Sequence, residues 1–245
     1  MDADLDIGQF LSGGYLLAKT YTPPADSFDY FYLGGENAQP LLSASPCISE
    51  ILPDDSGYEA ADLETVLAYG REWGIPQDRV GEFQAWKSRM TVDGRVRHAG
   101  AFADLDTARE CVREFVSARA GVHLLGIALH RDLLADFVEA VGPCERMTPD
   151  GVHDLVQEAR PLASGARHLG YEPLDVYPCE SRHTWHCHGL VREMHEKYGI
   201  AVNDLGLIAS HEHACRVAAV CDDPDYGCEP GVWRAWRIVE YDLDG

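Results

Sequence analysis

Apolar residues change their spacing along this chain from every second position to every third or fourth and back again. That restricts it to folds in which strands and helices are interleaved. The clearest two-residue repeat lies near the end: over 232–241, Trp233, Ala235, Arg237, Val239 and Tyr241 share one face and Arg234, Trp236, Ile238 and Glu240 the other. The clearest helical repeat is Leu105, Ala108, Val112, Phe115 and Val116, preceded by Asp104, whose short carboxylate suits the cap of a first turn. Further strands are expected over 10–20, 29–33, 41–48, 95–102, 122–129 and 169–177, between Gly and Pro punctuation such as Gly13-Gly14, Pro23-Pro24 and Gly34-Gly35.

Helices are expected over 57–73, where Ser56 and Glu59 match a capping box, and over 76–90, opened by Pro76. Others follow over 133–141, from Thr148-Pro149 to 160, from Cys187 to Tyr198 before Gly199, and over 210–220 behind Ser210. The sum is an α+β fold: a mixed, largely antiparallel sheet with flanking helices. It divides either into an acidic N-terminal lobe, 1–141, and a C-terminal lobe, 149–245, joined at 142–148, or forms one domain.

Charge narrows the function classes. The formal net charge is -21, and residues 1–70 hold twelve acidic side chains against one basic one, Lys19. Nucleic-acid phosphates would be repelled by such a surface, so direct binding to DNA or RNA is not expected. No apolar run reaches the roughly 18 to 20 residues of a membrane helix. Residues 1–6 are acidic where a secretory signal begins basic, so the expected address is the cytoplasm. The eight cysteines include no CxxC pair, which favours reduced thiols over a disulfide framework.

Motif chemistry is sparse. Cys179, His183, His186, Cys187 and His188, with His211, His213 and Cys215 downstream, offer nitrogen and sulfur donors of the kind zinc takes. On a helix, His183, His186 and Cys187 would share one face. A zinc-dependent enzyme built on these segments is therefore one reading. Against it, His195-Glu196 and His211-Glu212 lack the second histidine of a zincin. GxSxG, Walker and GxGxxG patterns are missing as well, and Asp222-Asp223-Pro224-Asp225 lacks the spacing of a calcium loop. No catalytic residue, metal or cofactor is assigned on these grounds.

The acidic stretches suit a different task. Asp26, Asp29, Glu36, Asp54 and Asp55 lie near Tyr30, Phe31 and Tyr32, while Asp222, Asp223, Asp225 and Glu229 surround Tyr226 with no Lys or Arg between them. Carboxylates steer a basic protein and aromatic rings anchor it, so Asp54, Asp55, Asp222, Asp223, Asp225 and Glu229 are the expected partner-binding residues. A surface whose acidity serves only solubility is the alternative.

Several stretches between 122 and 241 carry a resemblance. They are Leu124-Leu125-Gly126-Ile127-Ala128-Leu129, Leu169-Gly170-Tyr171-Glu172, Thr184-Trp185-His186-Cys187-His188-Gly189-Leu190, Asn203-Asp204-Leu205-Gly206-Leu207-Ile208 and Glu229-Pro230-Gly231-Val232-Trp233. Together these resemble uncharacterised bacterial proteins associated with toxin immunity. The resemblance implies a non-catalytic protein that neutralises a basic toxin domain by covering its working face, and it brings no catalytic residue with it.

Overall fold

The computed structural model describes residues 7–23, 40–53, 63–142, 151–176 and 182–245. Six strands, β1 (Phe10–Lys19), β2 (Ile51–Leu52), β3 (Val122–His130), β4 (Arg167–Val176), β5 (Arg182–Thr184) and β6 (Trp233–Tyr241), form one curled antiparallel sheet in the order β2-β1-β3-β6-β4-β5. The fold is α+β. Each half of the chain supplies three strands, and the halves meet where β3 pairs with β6 from Leu124 opposite Tyr241 to Leu129 opposite Trp236. The sheet therefore runs continuously across the junction expected at 142–148.

The helices are α1 (Leu63–Glu72), α2 (Val80–Val92), α3 (Leu105–Phe115), α4 (Leu134–Val141), α5 (Val152–Gln157), α6 (Val191–Tyr198) and α7 (His211–Cys221). The two-residue repeat of β6 sorts its side chains between two cores. Trp233, Ala235, Val239 and Tyr241 join Phe83, Trp86, Val112, Met194 and Val217 of α2, α3, α6 and α7. Trp236 and Ile238 join Phe137, Val152 and Val156 of α4 and α5 on the other face. Phe137 meets Trp236 edge to face at 5.5 Å, and burying one such aromatic side chain contributes about 1.5–3 kcal/mol.

Caps fall where the sequence places them. The Asp104 carboxylate accepts from the Thr107 amide at the start of α3, and the Ser210 hydroxyl accepts from the His213 amide at the start of α7. Within β1 the register to β3 slips between Ser12 and Tyr15, and Gly14 takes φ +103°. A Cβ there would lie 2.6 Å from Leu155 and 2.8 Å from the Phe102 carbonyl.

Three expectations change. Residues 41–48 do not form a strand: Leu41 makes one bridge to Tyr21, and a turn follows. Serine hydroxyls take the backbone donors a ladder would need, since the Ser43, Ser45 and Cys47 amides donate to the Ser49, Ser43 and Ser45 side chains. Residues 95–102 form no strand: isolated bridges join Phe102 to Val96 and to Tyr15, around a 3-10 turn at His98–Gly100. The helix expected from Cys187 breaks in two: Trp185–His188 is a 3-10 turn, Gly189 ends it at φ 64°, and α6 begins at Val191. The 29–33 strand, the Ser56/Glu59 box and the Thr148-Pro149 start lie outside the described residues.

Candidate functional site

Beside the β4–β5 edge of the sheet, a loop from the N-terminal half is clamped by a buried polar network. Glu172 on β4 is fully buried and accepts from the Ser43 hydroxyl (2.5 Å), the Ala44 amide (2.9 Å) and the Thr184 hydroxyl (2.7 Å). Arg182 on β5, also buried, donates through Nε to the Ala44 carbonyl and through Nη2 to the Ala99 carbonyl, both at 2.8 Å. The Ser45 hydroxyl donates to the Arg182 carbonyl at 2.6 Å. Burial pushes the Glu172 carboxyl upward, opposed by its donors and by the charge of Arg182. Groups this costly to desolvate hold their partners in one arrangement, and here they fix residues 43–47.

Strand alternation then sets what that loop meets. Arg182 and Thr184 point toward Glu172, so His183 between them points to the opposite face. There its Nδ1 lies 3.2 Å from Sγ of Cys47, an exposed residue 136 positions earlier in the chain. The Cys187 thiol, carried by the 3-10 turn after β5, adjoins Cys47 and lowers its pKa. Cys187 as donor, followed by His183, outweighs burial and brings the Cys47 thiol down to about 4. The bond to Cys47 raises His183 in return. Cys187 is pushed far upward, first by its bond to Cys47 and then by burial, and stays a thiol.

Asp175 stands directly opposite His183 in the β4–β5 ladder. It is fully buried; Oδ1 accepts from the Val232 amide at 2.9 Å, and Oδ2 has no hydrogen-bond partner. Burial raises this carboxyl to about 6, with the charge of His183 pulling the other way. Gly231 makes room for it: a Cβ there would lie 1.9–2.1 Å from the carboxylate. Gly231→Ala should therefore lower stability by about 1–3 kcal/mol, the usual cost of overpacking, read from the urea midpoint. An unchanged midpoint would contradict this placement of Asp175.

The acidic stretch after α7 borders this cluster. Glu229 lies 2.6 Å from Nε2 of His188, whose imidazole is held below its ordinary value by burial while Glu229 pulls it up. Asp222 accepts from the Trp233 amide at 3.0 Å and from Nη1 of Arg234 at 2.9 Å. Asp223 caps a short 3-10 turn by accepting from the Asp225 amide. All four expected partner-binding residues here, Asp222, Asp223, Asp225 and Glu229, are exposed, although the carboxylates of Asp222, Asp223 and Glu229 have partners within the chain. Asp54 and Asp55 lie outside the described residues, as does Cys179.

Comparisons with protein-family models, with curated proteins and with solved structures found no match.

The expected zinc donors divide: His183 and Cys187 adjoin Cys47, while His186 and the pair on α7 are engaged elsewhere. His183 is on a strand, and His186 is buried with Nε2 3.0 Å from the Gly206 carbonyl, its pKa brought to about 4 by burial. His211 and Cys215 contact each other on α7. Among the described residues no group of three or more His, Cys, Asp or Glu side chains is placed to hold a metal ion.

What the arrangement can do is nucleophilic. The Cys47 sulfur, on an exposed residue, is favoured as a thiolate by the adjoining Cys187 and by His183 at 3.2 Å, while Cys187 is favoured as a thiol. Sequence reasoning missed Cys47 and Asp175 because neither has a local motif. The only local sign was the turn-forming Ser43, Ser45, Pro46 and Ser49 around Cys47.

Proposed function

We propose that this chain carries out thiol–disulfide exchange, with Cys47 as the attacking thiolate and Cys187 as the resolving thiol. The observation that supports this is the position of Cys47 Sγ, 3.2 Å from Nδ1 of His183, on an exposed residue with the more enclosed Cys187 adjoining it. In the first step the Cys47 thiolate attacks one sulfur of a substrate disulfide, forming a mixed disulfide and releasing one thiolate. In the second, Cys187 loses its proton to the released thiolate and attacks Cys47 Sγ, expelling the other half of the substrate. Two protein thiols are oxidised to one disulfide, and one substrate disulfide is reduced to two thiols. His183 balances the charge of the attacking sulfur, and Asp175, its cross-strand neighbour, favours the charged imidazole. A cytoplasmic address, where reducing conditions return such a dithiol to its starting state, fits this reading.

Reduced protein mixed with the neutral hydroxyethyl disulfide should release two equivalents of mercaptoethanol per chain. Peptide mapping should then find a Cys47–Cys187 disulfide, and Cys47→Ser should release none at the rapid rate. Equal release by wild type and Cys47→Ser would overturn the reading.

A second reading is favoured by the exposure of Asp222, Asp223, Asp225 and Glu229 within one stretch around Tyr226. In it the chain is a binding protein that captures a basic partner such as a toxin domain, as an immunity protein does. Charge reversal of these four residues should then abolish capture of that partner and its salt dependence. Unchanged affinity would reject the reading.

A further inference from the structure

We propose that the chain carries a further catalytic site, an acyl-transfer centre for small esters, with Thr20 as nucleophile, His123 as its base and Glu240 as the group that orients the base. It shares no residue with the Cys47 cluster and does not depend on the exchange reading. The Thr20 hydroxyl lies 2.8 Å from Nε2 of His123, and Nδ1 of the same ring lies 2.6 Å from Oε1 of Glu240. The other carboxylate oxygen of Glu240 accepts from Nη2 of Arg167.

Strand alternation builds this row. His123 shares a face of β3 with Leu125 and Ile127, and Glu240 shares a face of β6 with Trp236 and Ile238. Those four apolar side chains belong to the core beneath α4 and α5, and His123 and Glu240 stand where it ends. Leu125 is opposite Glu240 in the ladder, so His123 is its diagonal neighbour. Ala18 is opposite His123, and Thr20, two residues on, is fixed by its amide, which donates to the Gly121 carbonyl at 3.0 Å. Arg167 is opposite Glu240 on β4. The His123 and Glu240 side chains are 21% and 20% exposed and Thr20 is half-buried, so the row is sheltered and still open to a small molecule.

Bonds that only tied strands together would need no particular order of donors and acceptors. Here hydroxyl, imidazole, carboxylate and guanidinium run in the order that draws a proton off the hydroxyl. Burial pushes the Glu240 carboxyl upward, yet His123 and Arg167 outweigh it and keep the group below its ordinary value. An ionised carboxylate only accepts, so Nδ1 donates to Glu240 and Nε2 turns its lone pair to Thr20. Thr20 Oγ1 attacks the ester carbonyl carbon as its proton passes to Nε2. The adduct expels the alcohol oxygen, which takes that proton, and the acyl group stays on Oγ1. Water then attacks the acyl carbon and gives a proton to Nε2. Thr20 leaves with that proton, and the carboxylic acid departs.

The test uses the full chain carrying Cys47→Ser, which removes the competing sulfur. A fluorophosphonate, which labels hydroxyls activated by a neighbouring base, should modify Thr20, as read by peptide mapping, and should fail to do so in His123→Gln. The ester p-nitrophenyl acetate should be hydrolysed with kcat lower by about a hundredfold or more in His123→Gln and in Thr20→Val, while Thr20→Ser keeps the activity. Glu240→Gln leaves an acceptor for Nδ1 and should lower kcat with KM unchanged, as loss of a positioning residue does. Urea midpoints establish that each variant is folded, and where one is not, labelling of Thr20 in the parent decides alone. Absence of label on Thr20 in the parent, equal labelling in a folded His123→Gln, or hydrolysis by a folded Thr20→Val at the parent rate would overturn the proposal. None of these results bears on Cys47.

Discussion

Cys187→Ser should turn the protein into a trap. With hydroxyethyl disulfide the variant is expected to release one equivalent of mercaptoethanol and stop, with the other half bound to Cys47 and visible in the intact mass. The serine hydroxyl still donates to the Cys47 sulfur, so the thiolate and the first step survive. What is lost is the second sulfur, held next to the first by the 3-10 turn that follows β5. Effective molarities for well-placed intramolecular attack are large, so resolution by an external thiol should be slower by about a thousandfold or more. Cys187→Ala removes the donor too and should raise the Cys47 pKa, whereas Cys187→Ser should not. Release of both equivalents by Cys187→Ser at the wild-type rate would show that Cys187 is not the resolving thiol.

Glu172→Ala should be the most destabilising single change at the site. It leaves the Ser43 and Thr184 hydroxyls and the Ala44 amide without their shared acceptor in a buried setting, and it removes the carboxyl near Arg182. Breaking one member of a buried charged network costs about 3–5 kcal/mol. Glu172→Gln keeps an acceptor oxygen and a similar shape, so its cost should be nearer about 1 kcal/mol. Urea denaturation of both variants measures the difference. Because the same network anchors residues 43–47, Glu172→Ala should also slow alkylation of Cys47 by iodoacetamide. Equal midpoints for wild type and Glu172→Ala would mean that the network does not clamp the loop.

The fold was largely legible because its signals are local. The β6 alternation predicted which side chains enter which core, and Asp104 and Ser210 marked two helix starts from one residue each. The failures are equally physical. Residues 41–48 have strand-like apolar content, yet Ser43, Ser45 and Ser49 capture the backbone amides, an outcome that depends on where Glu172 and Arg182 lie. Cys187 fits the apolar stripe of the following helix by spacing, but Gly189 in a left-handed conformation separates it from α6. The site was illegible for a related reason. Cys47, Asp175, His183 and Cys187 come from a turn, two strands and a 3-10 turn, and β5 is only three residues long, too short to give a period. Charge was readable in Asp222, Asp223, Asp225 and Glu229. The placement of Glu229 against His188, the neighbour of Cys187, was not.

The state of Cys47 carries the account. A thiol whose pKa is lower in the folded chain than in the unfolded one adds stability above the unfolded value of about 8.5, and that contribution fades as pH falls through the folded value. Cys47 should therefore react with iodoacetamide at a nearly constant rate from neutral pH down to about 5, falling with a midpoint of about 4. His183→Gln should move that midpoint upward by removing the cation 3.2 Å from the sulfur. The most direct measurement is the pH dependence of Cys47 alkylation, followed by peptide mass in wild type and His183→Gln. A low midpoint that rises in the variant is the predicted result. A midpoint near about 8.5 in both proteins, the value of an ordinary thiol, would contradict it.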